Sequence, residues 1–215
     1  MSDEFIREVD EEVRQERYER LWKRYGRFVV AGAVAIVLAA IAGVLWQNYQ
    51  QQRREADSRA FIQAITLANQ DHAEEAINLL GALVTDGSAG YALLAKLREA
   101  GLLVHSGDVE AAIIVYKRIA EDGSVQQVYR DYAMLMAVLN EIDTIDPDDA
   151  DTRLASLMAD GNAWRFSARE LVAIAAMRAD RKDRARELLE INADDPQAPQ
   201  GIRGRAAQLL AILDA

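Results

Sequence analysis

The chain has 215 residues, a formal net charge of −10 and no cysteine. Nucleic acid is not the expected partner, because phosphate binding requires a basic face, and the lack of cysteine excludes disulfides and cysteine-based metal sites or nucleophiles. Only three prolines occur among many alanine, leucine, glutamate and arginine residues, which predicts an all-α protein.

Residues 1–27 predict a charged cytoplasmic helix. Glutamate and arginine alternate with a few apolar residues at helical spacing, which are Phe5, Ile6, Val9 and Val13. Because this apolar stripe is thin, a solvated segment is the simplest interpretation. Contact with the membrane surface or with a partner is the alternative.

Residues 28–47 predict a single transmembrane helix. No charged side chain occurs from Phe28 to Trp46, and a helix of this length spans about 28 Å, close to the roughly 30 Å of bilayer hydrocarbon. Aromatic residues that favour the lipid–water interface flank the run, namely Trp22, Tyr25, Phe28, Trp46 and Tyr49. A soluble amphipathic helix would instead carry polar residues every few positions.

The basic residues near this helix predict its orientation. Six precede the apolar run and three follow it, namely Arg14, Arg17, Arg20, Lys23, Arg24 and Arg27, and then Arg53, Arg54 and Arg59. The positive-inside bias therefore places the N-terminus in the cytoplasm and residues 48–215 across the membrane. A cleaved signal peptide is the alternative, since Ala40 to Ala42 fits a small-x-small site, but the long acidic N-terminal region opposes it.

Small residues recur every four positions along one face of the predicted transmembrane helix. They are Ala31, Ala35, Ala39 and Gly43. Such a row allows a second membrane helix to approach closely, so it is a candidate packing face. Chance recurrence in an alanine-rich segment is the alternative.

Residues 48–215 contain a degenerate helical repeat. Ala76, Ala112 and Ala185 each follow a short polar turn, and each is followed four residues later by a large apolar residue, which is Leu80, Tyr116 or Leu189. The separations are 36 and 73 residues, so one further repeat is expected between the second and third. Residues 125–143 and 147–160 fit that missing helix pair, and the period predicts an α-solenoid.

The segment "GDVEAAIIVYKRIAED" resembles the second helix of a tetratricopeptide repeat, with Gly107, Ala112 and Tyr116 at matching positions. The whole layout is similar to that of the YfgM-like family. The shared features are a charged N-terminal segment, a "WKRYGR" boundary, one membrane helix, "YQQQRREADSRAF" and weak repeats. That resemblance implies an inner-membrane protein facing the periplasm, which associates with the SecYEG translocon and with periplasmic chaperones.

No residue pattern predicts an enzyme, a metal, a cofactor or a small-molecule substrate. Both histidines, His72 and His105, fall in or near turns between predicted helices. The acidic run from Asp146 to Asp151 departs from the calcium-loop pattern, since it lacks the glycine at the bend. A helix cap is the expected role of such a run.

Binding to proteins is therefore the predicted function. The candidate partner surface consists of aromatic and arginine residues on the first helices of the third and fourth pairs, namely Tyr129, Arg130, Trp164, Arg165 and Arg169. Tyr132 and Phe166 lie in the same segments, and core packing is the alternative for the aromatic residues. A scaffold at the Sec translocon is the first hypothesis, and an adaptor or assembly factor for another envelope complex is the second.

Overall fold

The chain is mainly helical in the computed structural model, which describes the backbone of residues 2–214 and the side chains of residues 22–28, 30–32 and 34–214. Over residues 2–214 it forms nine α-helices and no strand, so the predicted all-α class is confirmed. The helices are α1 Ser2–Asn69, α2 Ala73–Asp86, α3 Ala89–Ser106, α4 Val109–Glu121, α5 Gln127–Asn140, α6 Pro147–Met158, α7 Arg165–Arg178, α8 Lys182–Asp194 and α9 Gln200–Leu213.

The chain divides into two compact units, Met1–Glu55 and Ala56–Ala215. In the first unit, helix α1 carries the apolar run, whose described side chains are exposed, as at Leu38 and Leu45. Among the described residues, α1 is the one helix that is long and apolar enough to cross a membrane. The apolar stripe predicted within residues 1–27 lies outside the described side chains.

The second unit is a series of helix pairs joined by short turns. Residues 56–69 of α1 precede α2, and the following pairs are α3 with α4, α5 with α6, and α7 with α8, before α9. The pair that the repeat spacing predicted between Tyr116 and Ala185 is present as α5 and α6. The repeat-like arrangement of the prediction is thus confirmed.

Local capping explains where several of these helices begin and end. The Asp108 carboxylate, just before α4, accepts a hydrogen bond from the Ala111 amide. The Asp146 carboxylate, just before α6, accepts one from the Asp148 amide. Gly107 ends α3 with a φ of +89°, a left-handed conformation that a side chain would strain. The polar turns within these two pairs therefore fix where the second helices α4 and α6 begin.

Six of the seven predicted repeat-packing residues are buried inside the second unit, and the seventh, Gly107, is exposed at the end of α3. Ala76, Leu80, Ala112, Tyr116, Ala185 and Leu189 are at most 2% exposed. Each alanine lets a neighbouring helix approach, and the large residue one turn later fills the adjacent space.

Helix α6 contributes an equivalent pair that the sequence analysis did not identify. Ala150 and Leu154 have the same four-residue spacing and are fully buried. They complete the series of second helices, at 38 residues after Ala112 and 35 before Ala185.

Candidate partner-binding surface

An apolar groove of about 510 Å³ lies between the first helices α5, α7 and α9, and we name it the α5–α9 groove. Its apolar lining residues are Leu135, Leu139, Leu171, Ile174, Leu209 and Ile212. Leu139 and Ile212 are 43% and 64% exposed, although large apolar side chains usually pack inside. A groove of this size and polarity is suited to hold apolar side chains of a partner.

An ion pair borders the α5–α9 groove. Arg205 Nε and Nη2 donate to the two carboxylate oxygens of Glu170 at 2.6 and 2.8 Å. The hydrogen bonds from Arg205 engage both oxygens of Glu170, and Glu170 in turn raises the pKa of Arg205. The pair is thus internally satisfied and leaves the groove with little net charge.

A second groove, of about 460 Å³, lies between α3 and α5, and we name it the α3–α5 groove. Its lining includes Leu93, Leu94, Val125 and Tyr129. Leu94 and Tyr129 are 41% and 38% exposed. Asp122 also lines it, and hydrogen bonds from the Ser124 hydroxyl and amide lower the pKa of its carboxyl.

An aromatic pair links α5 to the start of α7. The rings of Tyr132 and Trp164 are tilted, with centroids 5.3 Å apart, and Trp164 Nε1 donates to the Val128 carbonyl at 3.3 Å. Trp164 is partly buried against the core formed by α5–α9. Trp164 therefore contributes to the core while part of its side chain stays accessible to solvent.

The five residues of the predicted partner surface do not line one common cavity. Tyr129 lines the α3–α5 groove, and Arg130 lines a different, polar cavity. Arg165 is partly buried, with its guanidinium 4.0 Å from the Phe166 ring centroid and one nitrogen donating to Gln197 at 2.8 Å.

The placement of Arg169 on this surface is wrong. Its side chain is only 8% exposed. Arg169 Nη2 donates to the Met158 carbonyl at 3.0 Å and to Asp160 at 3.2 Å, so it ties α7 to the turn that follows α6. A buried guanidinium with these partners has a structural role and does not offer itself to a partner.

The small residues of the candidate membrane packing face, Ala31, Ala35, Ala39 and Gly43, are all exposed. A Cβ atom added at Gly43 would meet no atom within 4 Å. The row is therefore open to a neighbouring helix, and whether it receives one stays a prediction.

The acidic run before α6 is occupied by helix capping and ion pairing. Asp146 caps α6, Asp148 pairs with Arg181, and Asp151 pairs with Arg184 at 3.0 Å. His72 lies in the turn before α2, where its ring nitrogen contacts Glu75 at 2.9 Å. Among the side chains that the structure describes, no group of three or more His, Cys, Asp or Glu residues is placed to hold a metal ion.

Residues 19–128 match the family model of the tetratricopeptide repeat-like domain, which is just over half of the chain. The chain belongs to this tetratricopeptide repeat-like family. No curated protein and no solved structure matches it. The matched range includes the apolar run of α1 as well as α2, α3 and α4. One family pattern therefore covers both the apolar run and the first repeat helices.

The tetratricopeptide repeat-like architecture continues beyond the matched range. Residues 129–214 form most of α5 and all of α6–α9, and they contain the Ala150–Leu154 and Ala185–Leu189 pairs. This part also contains the whole α5–α9 groove. The fold supports a scaffold for protein partners, as is typical of such repeats.

Proposed function

We propose that the chain is a single-pass inner-membrane protein whose repeats bind protein partners in the periplasm. The membrane part of this proposal is supported by the uncharged run from Phe28 to Trp46, whose described side chains are exposed. In water such a surface would favour aggregation, whereas lipid solvates it. The basic residues Lys23, Arg24 and Arg27 before the run favour a cytoplasmic N-terminus and periplasmic residues 48–215.

The observation that carries the binding function is the pair of apolar grooves on the first helices. Both the α3–α5 groove and the α5–α9 groove expose large apolar side chains to solvent. The charged lining of the α5–α9 groove is a paired carboxylate and arginine, and that of the α3–α5 groove contains Asp122 and Lys96, one charge of each sign. The grooves thus favour capture of apolar side chains from a polypeptide over chemistry on a substrate.

The proposed partners are the SecYEG translocon and periplasmic folding factors. The resemblance to the YfgM-like family supports them, together with a matched family range that unites the apolar run with the repeats. A membrane anchor would confine the repeats near exported chains and raise their effective concentration there. The face formed by Ala31, Ala35, Ala39 and Gly43 is the proposed contact with a membrane helix of the complex.

Topology is tested with reporter fusions after Asp214. Alkaline phosphatase, which is active only in the periplasm, should be active at that position, and a fluorescent protein that folds only in the cytoplasm should be dark. The reverse pattern would contradict the periplasmic placement of the repeats.

Partner binding is tested by co-purification from envelopes solubilised in mild detergent. Translocon subunits should accompany the wild-type chain and be depleted in an Ala35→Leu, Ala39→Leu variant, which keeps the helix apolar but blocks close approach. Folding factors should be depleted in a Leu139→Ser, Ile212→Ser variant of the α5–α9 groove. Ile114→Ser is the matched control, because Ile114 is 50% exposed on α4 and lines neither groove.

Two results would contradict this proposal in different ways. If another envelope complex co-purifies and no translocon subunit does, the adaptor hypothesis replaces the translocon hypothesis. If both variants retain every partner as well as the wild type, the two proposed contact surfaces are wrong even though a partner exists.

A further inference from the structure

A polar cavity of about 250 Å³ lies between the end of α4, the first half of α5 and the end of α6. It shares no lining residue with either apolar groove. Its polar lining consists of Gln127, Arg130, Asp131, Arg153 and Ser156. Two guanidinium groups therefore line one cavity. The surrounding unit has a net charge of −10, the same as the whole chain, because Met1–Glu55 contains nine acidic and nine basic residues.

Arg130 has an unsatisfied donor at this cavity. Its Nε atom is buried and has no hydrogen-bond partner. Its Nη2 atom donates to the Gln127 side-chain oxygen, which fixes the direction of the guanidinium. A buried charged donor without an acceptor is costly. Because Nε is covered from solvent, an acceptor in the cavity would remove this penalty only after the guanidinium turns toward it.

The neighbouring carboxylate of Asp131 is already engaged by other groups. Asp131 is 8% exposed, and its two oxygens accept hydrogen bonds from Gln127 Nε2 at 2.5 Å and from Asn162 Nδ2 at 3.0 Å. Two neutral side-chain amides therefore hold the Asp131 carboxylate in place. Its charge offsets one of the two arginines that line the cavity, and Glu141 pairs with the other, Arg153.

The second arginine is held at the cavity by groups outside it. Arg153 Nη1 donates to Glu141 at 2.7 Å, and Glu141 also accepts from Lys117. Arg153 Nη2 lies 3.9 Å from Asp149, which is an ion-pair distance but too long for a hydrogen bond. The Glu141 contact therefore orients Arg153 while leaving hydrogen-bonding capacity on its guanidinium.

We propose that this cavity is an anion-binding subsite in which Arg130 and Arg153 receive an oxyanion. The arginine fork matches the paired oxygens of a carboxylate or a phosphate, and Ser156 adds a hydroxyl donor. The volume is below the range of roughly 300–1,000 Å³ that accommodates drug-sized ligands, which favours a single side chain, a chain terminus or a small ion. The proposal does not depend on the identity of the translocon or any other partner.

The test uses the full-length protein in phosphatidylcholine nanodiscs and follows the Nε–H signals of Arg130 and Arg153 by nitrogen-15 NMR. The probes are acetyl-Ala-Glu-Ala-amide, its glutamine analogue and inorganic phosphate. A saturable shift with the glutamate peptide and none with the glutamine analogue identifies a carboxylate as the ligand. A saturable shift with phosphate alone identifies a free phosphate-type ion.

Two substitutions and a control assign the effect to Arg130. Arg130→Gln should weaken anion binding at least tenfold, as read from the Arg153 signal, and Arg130→Lys should weaken it less because charge is kept while the fork is lost. Arg118→Gln is the matched control, since Arg118 is exposed on α4 and outside the cavity. Melting curves in the same nanodiscs show that each variant remains folded.

Three outcomes would overturn the proposal. The first is the absence of a saturable shift with either anion at tens of millimolar. The second is equal binding of the glutamate and glutamine peptides, because recognition would then not involve the anion. The third is unchanged anion affinity in a folded Arg130→Gln variant.

Discussion

The second helices α6 and α8 differ from the first helices α5, α7 and α9 in what they present to solvent. Charged pairs connect α6 to the start and body of α8, through Asp148 with Arg181 and Asp151 with Arg184. The first helices instead place the exposed Leu139 and Ile212 around an apolar groove, whereas the exposed Ile191 of α8 lines neither named groove. Both rows share one buried core, so the difference lies in the outer residues and separates a side rich in ion pairs from the side proposed to bind partners.

The largest effect is expected in the neighbouring cluster that packs α3, α4 and α5 together. Ala112 on α4 is fully buried beside Ala100 of α3 and Ala133 of α5. An Ala112→Asp substitution should destabilise the second unit by about 3 kcal/mol or more, because an unpaired charge would be buried. Thermal melting of the full chain in detergent, followed by circular dichroism, should show a melting temperature lower by about 6–12 °C.

Ala82→Asp provides the control for this substitution. Ala82 is exposed on α2, so the added carboxylate stays in water and the free energy of unfolding should change by about 0.5 kcal/mol or less. Equal stability of the two variants would mean that the repeat register around Ala112 is wrong.

A matched pair of leucine truncations sharpens the contrast between the two rows. Leu154 of α6 is fully buried, so Leu154→Ala should cost about 2–5 kcal/mol. Leu139 of α5 is 43% exposed, so Leu139→Ala should cost about 1 kcal/mol or less and act chiefly on partner binding. Chemical denaturation of both variants measures the difference, and similar costs would show that Leu139 is core.

The sequence predicts the shared core better than it predicts the outer surface. The Ala-x-x-x-Leu spacing at Ala76 and Ala185 suffices to locate second helices, because this pattern is local to one helix. The same pattern at Ala150 is harder to detect, because its separations of 38 and 35 residues depart from the first spacing of 36.

Surface and groove residues depend on contacts that are distant in the sequence. Leu139 and Ile212 line one groove although 73 positions separate them, and no local pattern indicates that α5 and α9 lie on either side of α7. Arginine is a residue type that is common at interfaces, yet Arg169 is bound to the turn at Met158–Asp160 and is buried there. Such assignments require the tertiary arrangement of the helices.

The charged side of the repeats should contribute little to stability. Arg184 donates to both oxygens of Asp151, at 3.1 and 3.0 Å, but both side chains are about one-third exposed. A double-mutant cycle with Arg184→Met and Asp151→Asn should give a coupling energy of about 0.2–1 kcal/mol that decreases as salt is added. A coupling several times larger, or one insensitive to salt, would mean that this row acts as core.

The smallest expected effect concerns the protonation of Asp148. The hydrogen bond and charge of Arg181 hold the pKa of the Asp148 carboxyl below its usual value. Because the folded state has the lower pKa, the contribution of Asp148 to stability is fully present above the unfolded pKa of about 3.9 and is lost as the pH falls through the folded pKa. A pH titration of the Asp148 carboxyl, followed by carbon-13 NMR, should therefore give a higher midpoint in Arg181→Met than in the wild type. Both groups are solvent-exposed, so the effect should also diminish at high ionic strength.

A wild-type midpoint that does not change on Arg181→Met would show that this ion pair does not persist in solution, and the contrast between the two rows would then rest on the exposed apolar residues alone.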